Sequence, residues 1–147
     1  MGSMTDYCHI KSVTICVGTN ALNITKNQCI PMIDILTDYN SLVSEFLKLF
    51  PNAKIGLFNV LPRVCYHRDT YNRIRSFNMF LIDHIASLYE RVQCIVLYWE
   101  FVDFDGYLIP SLYNENDFLH LSLQGKDLMS DCISSYQMSP LPKRPVF

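Results

Sequence analysis

The stretch Ser12-Val13-Thr14-Ile15-Cys16-Val17, followed at once by Gly18-Thr19-Asn20, decides the fold. Its first part is β-branched and apolar on both faces, which is typical of a strand buried in a parallel sheet. A free cysteine behaves as a small hydrophobe, so Cys16 is expected to lie in the core. The glycine, threonine and asparagine that follow indicate a turn at the carboxyl end of this strand.

Two more apolar runs, residues 53–60 and 93–98, predict two further strands. The segments between and after the strands have apolar residues at helical spacing. One helix follows Pro31, a second is expected to start with Asp69 or Thr70 as its cap, and a third runs from Ser122 to about residue 136.

The resulting order β-α-β-α-β-α predicts parallel strands joined by right-handed crossovers. We therefore expect an α/β fold in three layers, with helices on both faces of a short, mostly parallel sheet of the flavodoxin-like type. The outer strands of so small a sheet would leave open hydrogen-bonding edges, which favours binding to another protein chain or to a second copy.

Composition limits the class of protein. The 147 residues are 50% hydrophobic and 18% charged with a net charge of -2, which fits one domain, expected over residues 5–137. Residues 1–4 resemble a cloning remnant, and the proline-rich residues 138–147 predict an extended tail. We expect neither a signal peptide nor a membrane span, because no segment has the pattern of a leader and no apolar run is long enough to cross a membrane. The absence of a basic block leaves a nucleic-acid partner unsupported.

The six cysteines form no Cys-x-x-Cys pair and no close Cys/His pair, so neither a metal site nor another cofactor is expected. Free thiols in a chain of this size indicate an intracellular protein, cytoplasmic or nuclear. The adjacent residues Cys65-Tyr66-His67 are not expected to form a catalytic pair, because neighbouring side chains seldom point at one another.

The chemistry is expected in the stretch Asn116-Asp117-Phe118-Leu119-His120-Leu121-Ser122, where a polar loop turns into the last helix. Asp117 could hold one ring nitrogen of His120 and leave the other free as a general base. The alternative is a structural hydrogen bond beside a helix cap.

Topology brings other segments to the same edge of the sheet, where parallel strands end. Asn20 is a candidate donor to an oxyanion, or a turn residue that bonds its own backbone. Arg63 could bind an acidic group or simply pair with a surface acid. The aromatic residues from Trp99 to Tyr113 could line a binding groove or pack over the sheet.

These pieces resemble the second half of the SGNH hydrolases, the GDSL-type esterases and lipases, and most of all the short members found in retroelements and some viruses. Gly18-Thr19-Asn20 resembles the block whose glycine and asparagine contribute to the oxyanion hole. Leu61-Pro62-Arg63 and residues 72–81 resemble the next block. Asp117 to Ser122, followed by Gly125, resembles the final one, which implies that Asp117 orients His120 as the base.

The sequence departs from that family in one respect that matters for activity. No Gly-Asp-Ser occurs, so the serine nucleophile is missing, and Ala21 stands where an acidic residue is usual. The expectation is therefore a non-catalytic SGNH-like domain that binds a protein or itself. The alternatives are an esterase completed by another chain or an unrecognised serine, and a nucleic-acid-associated adaptor derived from a retroelement.

Overall fold

The computed structural model describes residues 7–65 and 67–139. The remnant expected at residues 1–4 lies outside this part of the chain, and so does the tail from residue 140 onward. Within it, Met138 still belongs to the last helix rather than to an extended tail.

Within the described residues, three strands form one parallel sheet in the order β1-β2-β3: β1 is Ser12–Ile15, β2 is Lys54–Phe58 and β3 is Val92–Ile95. Ile55 at the centre pairs with Val13 on one side and with Val92 on the other. All five residues of β2 are buried, as the apolar run predicted. The predicted α/β fold with a short parallel sheet is confirmed.

The strands are shorter than the apolar runs. Cys16 and Val17 lie beyond the end of β1 and are exposed, so the prediction that Cys16 is a core residue is wrong. Val60 leaves the sheet because the carboxamide of Asn78 takes both of its backbone groups, at 2.7 Å and 2.9 Å. Asn78 does so from the following helix and thereby ends the ladder after Phe58.

In the described part of the chain, five α-helices accompany the sheet: α1 is Thr19–Leu22, α2 is Met32–Leu49, α3 is Arg68–Phe80, α4 is Ala86–Leu88 and α5 is Leu123–Met138. A π-helical turn, Leu81–Ile85, joins α3 to α4. The predicted cap of α5 is confirmed, because the Ser122 hydroxyl accepts the Gly125 N–H at 3.1 Å.

The predicted start of α3 needs correction. His67, rather than Asp69 or Thr70, caps the helix, and its Nδ1 accepts the backbone N–H of Asp69 at 3.2 Å. Imidazole can accept a hydrogen bond in this way when the ring is neutral and its other nitrogen carries the proton.

Two apolar clusters lie on the two faces of the sheet. Alternate residues of a strand point to opposite faces. Ile55 and Leu57 belong to the cluster that includes α2 and α3. Phe58 belongs to the other, which includes Tyr113 and the apolar face of α5. The chain is thus layered helix-sheet-helix, as expected.

Candidate functional site

Asp117 and His120 are in direct contact. The His120 Nδ1 lies 2.6 Å from the Asp117 Oδ2. The other carboxylate oxygen accepts the backbone N–H groups of Leu119, at 2.9 Å, and of His120, at 3.1 Å. The hydrogen bond from His120, followed by the one from the Leu119 amide, lowers the pKa of Asp117 to about 2. The carboxylate is therefore ionised at neutral pH and fixes Nδ1 as the protonated ring nitrogen.

The loop that carries this pair is closed on itself. Tyr113 and Leu121 form an antiparallel bridge, and the backbone N–H of Asn114 donates to the His120 carbonyl at 2.8 Å. Phe118, between Asp and His, has a φ of 46°, a left-handed conformation that a bulky residue adopts only when its surroundings impose it. The geometry of the pair is thus set by the loop and does not depend on a ligand.

The other ring nitrogen of His120 is available. The side chain of His120 is 75% exposed, and in residues 7–65 and 67–139 no hydroxyl or thiol group hydrogen-bonds to its ring. The arrangement is one that a general base would have, but no described residue places a hydroxyl or thiol within hydrogen-bonding distance of the ring.

The predicted convergence of strand ends is found in the structure. A cavity of about 110 Å³ is bounded by Cys16 and Val17 after β1, by the segment Val60 to Arg63 after β2, and by Leu119 and Leu121 on either side of His120. Its walls are mainly apolar side chains. Thr19, which precedes Asn20, and the two neighbours of His120 therefore border one small cavity where the ends of β1 and β2 meet.

Thr19 lines this cavity, and the oxyanion candidates Gly18 and Asn20 are its neighbours along the chain. Gly18 has a φ of 121°, which only glycine adopts readily. Asn20 is exposed at the second position of α1, and its side chain has no hydrogen-bond partner among the described residues. It is therefore free to donate to a bound group.

Arg63 holds two of these segments together. Its Nη1 lies 3.4 Å from the Thr19 carbonyl oxygen and 3.3 Å from the Thr19 hydroxyl. The guanidinium also lines the cavity. It belongs to no ion pair within the described residues, so it pairs with no surface acid there.

The two aromatic candidates are placed very differently. Trp99 is 70% exposed and borders a second cavity, away from His120. Tyr113 is buried, and its hydroxyl donates to the Pro62 carbonyl. Tyr113 thus joins the loop after β2 to the loop of the Asp-His pair, whereas Trp99 is open to solvent, as are Phe104 and Tyr107 of the same aromatic stretch.

Cys65 and His67 do not form a catalytic pair. The thiol of Cys65 faces the Arg63 carbonyl at 3.4 Å, and burial raises its pKa. The His67 ring instead caps α3. Among the described residues no group of three or more His, Cys, Asp or Glu side chains could hold a metal ion.

Two buried asparagines were missed by the sequence analysis. Asn59 is 2% exposed and Asn78 is 7% exposed, and their carboxamides hold the ends of β2 and β3 in place. Asn59 inside an apolar run was the available signal, because a buried polar side chain has to find a partner.

No protein-family model and no curated protein matches the chain. Solved structures do resemble it. One, provisionally named a platelet activating factor from Streptococcus pneumoniae, has a TM-score of 0.71 and 21% identity, with 86% of this chain and 59% of that one covered. Another, a provisionally named acylhydrolase from Bacteroides fragilis, has a TM-score of 0.67 and 20% identity, with 86% and 60% covered.

The chain has an acylhydrolase-like fold. It spans about three fifths of the length of each of these two structures. No helix within residues 7–65 and 67–139 combines the length and the apolar character needed to cross a membrane.

Proposed function

We propose that this chain carries the base-bearing half of an acyl-ester hydrolase site of the SGNH type. The observation that carries the proposal is the 2.6 Å contact between Asp117 and the His120 Nδ1, on a loop that fixes both groups and leaves the far ring nitrogen exposed. The acylhydrolase-like fold supports the same chemistry. The nucleophile is assigned to a polypeptide segment outside these 147 residues.

In this proposal His120 takes the proton of an incoming serine hydroxyl through Nε2, and the serine oxygen attacks the ester carbonyl carbon. The ionised Asp117 stabilises the imidazolium that forms. The Asn20 carboxamide donates to the oxyanion, and the imidazolium then returns its proton to the leaving alkoxide. Water repeats the sequence on the acyl-enzyme and releases the carboxylic acid.

The free edge of β1 is the proposed place for the missing segment. Among the described strands β1 pairs only with β2, so its outer backbone groups have no strand beside them. Cys16 and Val17, directly after β1, are exposed and apolar and border the cavity near His120. A parallel strand added at this edge would end level with that cavity, at the position a nucleophile needs.

The test compares hydrolysis of p-nitrophenyl butyrate by the chain alone with hydrolysis by a chimera. The chimera joins this chain to the part of the Bacteroides fragilis acylhydrolase that the match leaves uncovered. We expect no His120-dependent turnover by the chain alone, and turnover by the chimera that His120→Ala and Asp117→Ala abolish. His84→Ala, on the π-helical turn, is the matched control.

A folded chimera, verified by circular dichroism, whose rate is unaffected by His120→Ala would refute the proposal. A rate for the chain alone that falls with His120→Ala would show instead that the nucleophile is inside the chain.

A second candidate is a non-catalytic domain that binds another protein or a second copy through the same edge of β1. The absence of any described nucleophile at His120, together with the open edge, favours it. Light scattering after size-exclusion chromatography tests self-association. Weak association is seen at roughly 100 micromolar. A strict monomer at that concentration would count against binding to a second copy.

A further inference from the structure

A second cavity, larger than the one beside His120, lies at the carboxyl ends of β2 and β3. Its volume is about 420 Å³, within the range of small-molecule sites. It is bounded by the second half of α3, the π-helical turn and the 3-10 turn Tyr98–Phe101. Its lining includes Asn59, Arg75, Met79, Ile82, Val96 and Trp99.

Asn59 offers this cavity a hydrogen-bond donor. The residue is only 2% exposed, and its Oδ1 accepts the Leu97 N–H at 2.9 Å. Because a backbone N–H can only donate, this contact fixes which end of the carboxamide is oxygen. The Nδ2 amide has no acceptor among the described residues, although Asn59 lines the cavity. Nδ2 is not among the described side-chain atoms that are both fully buried and unpartnered, so it meets the open space of the cavity and is available to a ligand.

Arg75 offers the same cavity a positive charge. Its guanidinium takes part in none of the ion pairs within the described residues and in none of their hydrogen bonds. It lies close enough to Tyr98 to lower the pKa of that phenol, against the larger raising effect of burial. A lone guanidinium that lines the same cavity as an unpartnered amide donor is suited to binding a carboxylate together with it.

The remaining walls are apolar and open to solvent. Met79 is 61% exposed and Trp99 is 70% exposed, while Ile82 and Val96 are each 43% exposed. Clustered apolar side chains around a few polar groups are the usual composition of a ligand site. Met79 has a flexible side chain that adapts to a flexible ligand better than a rigid one would.

We propose that this cavity binds a small carboxylate with an unbranched apolar chain. The carboxylate accepts hydrogen bonds from the Asn59 Nδ2 and the Arg75 guanidinium, and the chain lies between Met79, Ile82 and the Trp99 indole. The proposal does not depend on the hydrolase proposal, because none of these residues borders the cavity beside His120.

Trp99 makes the site directly observable, since it is the only tryptophan of the chain. Titration with octanoate is expected to shift its fluorescence to shorter wavelength and to saturate. Acetate, which has the charge without the chain, and octan-1-ol, which has the chain without the charge, are each expected to bind at least about tenfold more weakly.

Two variants test the donors, and a third is the control. Arg75→Gln is expected to weaken octanoate binding about tenfold, because the charge-assisted hydrogen bond is lost. Asn59→Asp keeps the acceptor for Leu97 but replaces the donor with a negative charge, so binding is expected to be lost. Arg68→Gln removes a charge from the same helix without touching the cavity and is expected to bind like the wild type.

Three results would overturn the proposal. One is a fluorescence spectrum unchanged by millimolar octanoate. Another is equal binding of octanoate and octan-1-ol, which would make the cavity a plain apolar patch. The last is an unchanged octanoate affinity of Arg75→Gln, an exposed substitution that leaves the fold intact even if Asn59→Asp does not fold.

Discussion

Gly125 controls how closely α5 approaches the loop that carries the Asp-His pair. A Cβ atom at this position would lie 2.0 Å from the Leu112 carbonyl oxygen and 3.0 Å from its carbonyl carbon. Both neighbours are backbone atoms, so no side-chain rotation relieves the clash. The same carbonyl accepts the Ser122 N–H at 3.0 Å, directly at the cap of the helix. Gly125→Ala therefore has to push the helix and the loop apart.

The magnitude follows from three opposing effects. Overpacking of a tight contact costs about 1–3 kcal/mol. Weakening the Ser122 hydrogen bond costs about 1 kcal/mol. The higher helix propensity of alanine offsets about 1 kcal/mol of this. The net loss is about 1–3 kcal/mol, equivalent to a fall in Tm of roughly 3–10 °C for a chain of this size.

Urea denaturation followed by circular dichroism measures this loss. Ser130→Ala, at an exposed position of the same helix, is the matched control and is expected to change stability by less than about 0.5 kcal/mol. If Gly125→Ala were as stable as the wild type or more so, the higher helix propensity of alanine would be the only effect of the substitution on stability. The close approach of α5 to Leu112 would then be refuted.

Three other predictions concern the groups that hold the site together. Asn78→Ala leaves the buried N–H and C=O groups of Val60 without partners and is expected to lower the free energy of unfolding by about 2–4 kcal/mol, measured by urea denaturation. An unchanged urea midpoint would exclude this anchoring role of Asn78. Tyr113→Phe removes the bond to the loop after β2 and is expected to cost about 1–2 kcal/mol, with a thermal melt equal to that of the wild type as the contrary result. The Asp117 carboxyl is expected to titrate near pH 2 by carbon NMR, and His120→Ala to move its pKa up toward the ordinary 3.8. Because the pKa of Asp117 is lower in the folded than in the unfolded chain, the stability that the ionised carboxylate contributes is complete above pH 3.8 and disappears as the pH falls through 2. An Asp117 pKa that does not change in His120→Ala would show that the imidazole is not what lowers it.

Much of the fold could be predicted because its signals are local. A buried parallel strand is apolar on both faces, and β2 follows this pattern apart from Lys54, which is buried as well. The cap of α5 depends on a serine hydroxyl and an amide three residues later, a relation contained in the sequence. The Asp-His pair is equally local, and its contact at 2.6 Å is the interaction that the spacing predicted.

The features that could not be predicted depend on residues distant along the chain. β2 ends at Phe58 because the Asn78 carboxamide, on the next helix, forms hydrogen bonds with the backbone N–H and C=O groups of Val60. The inward direction of Tyr113 depends on a carbonyl that lies 51 residues away. His67 was not recognised as a cap because imidazole accepts such a bond only in one tautomer. None of these partners is marked by a repeating pattern.

The sequential order of the sheet has a consequence for how the protein is made. Each strand pairs with the one that leaves the ribosome just before it, so β1 and β2 can join while the rest of the chain is still being synthesised. The loop of Asp117 and His120 and the helix α5 follow all three strands in sequence, so α5 packs against a sheet that has already formed. We therefore expect nascent chains halted before α5 to be partly protected from protease at β2, and the imidazole to reach its carboxylate only after all three strands have been synthesised.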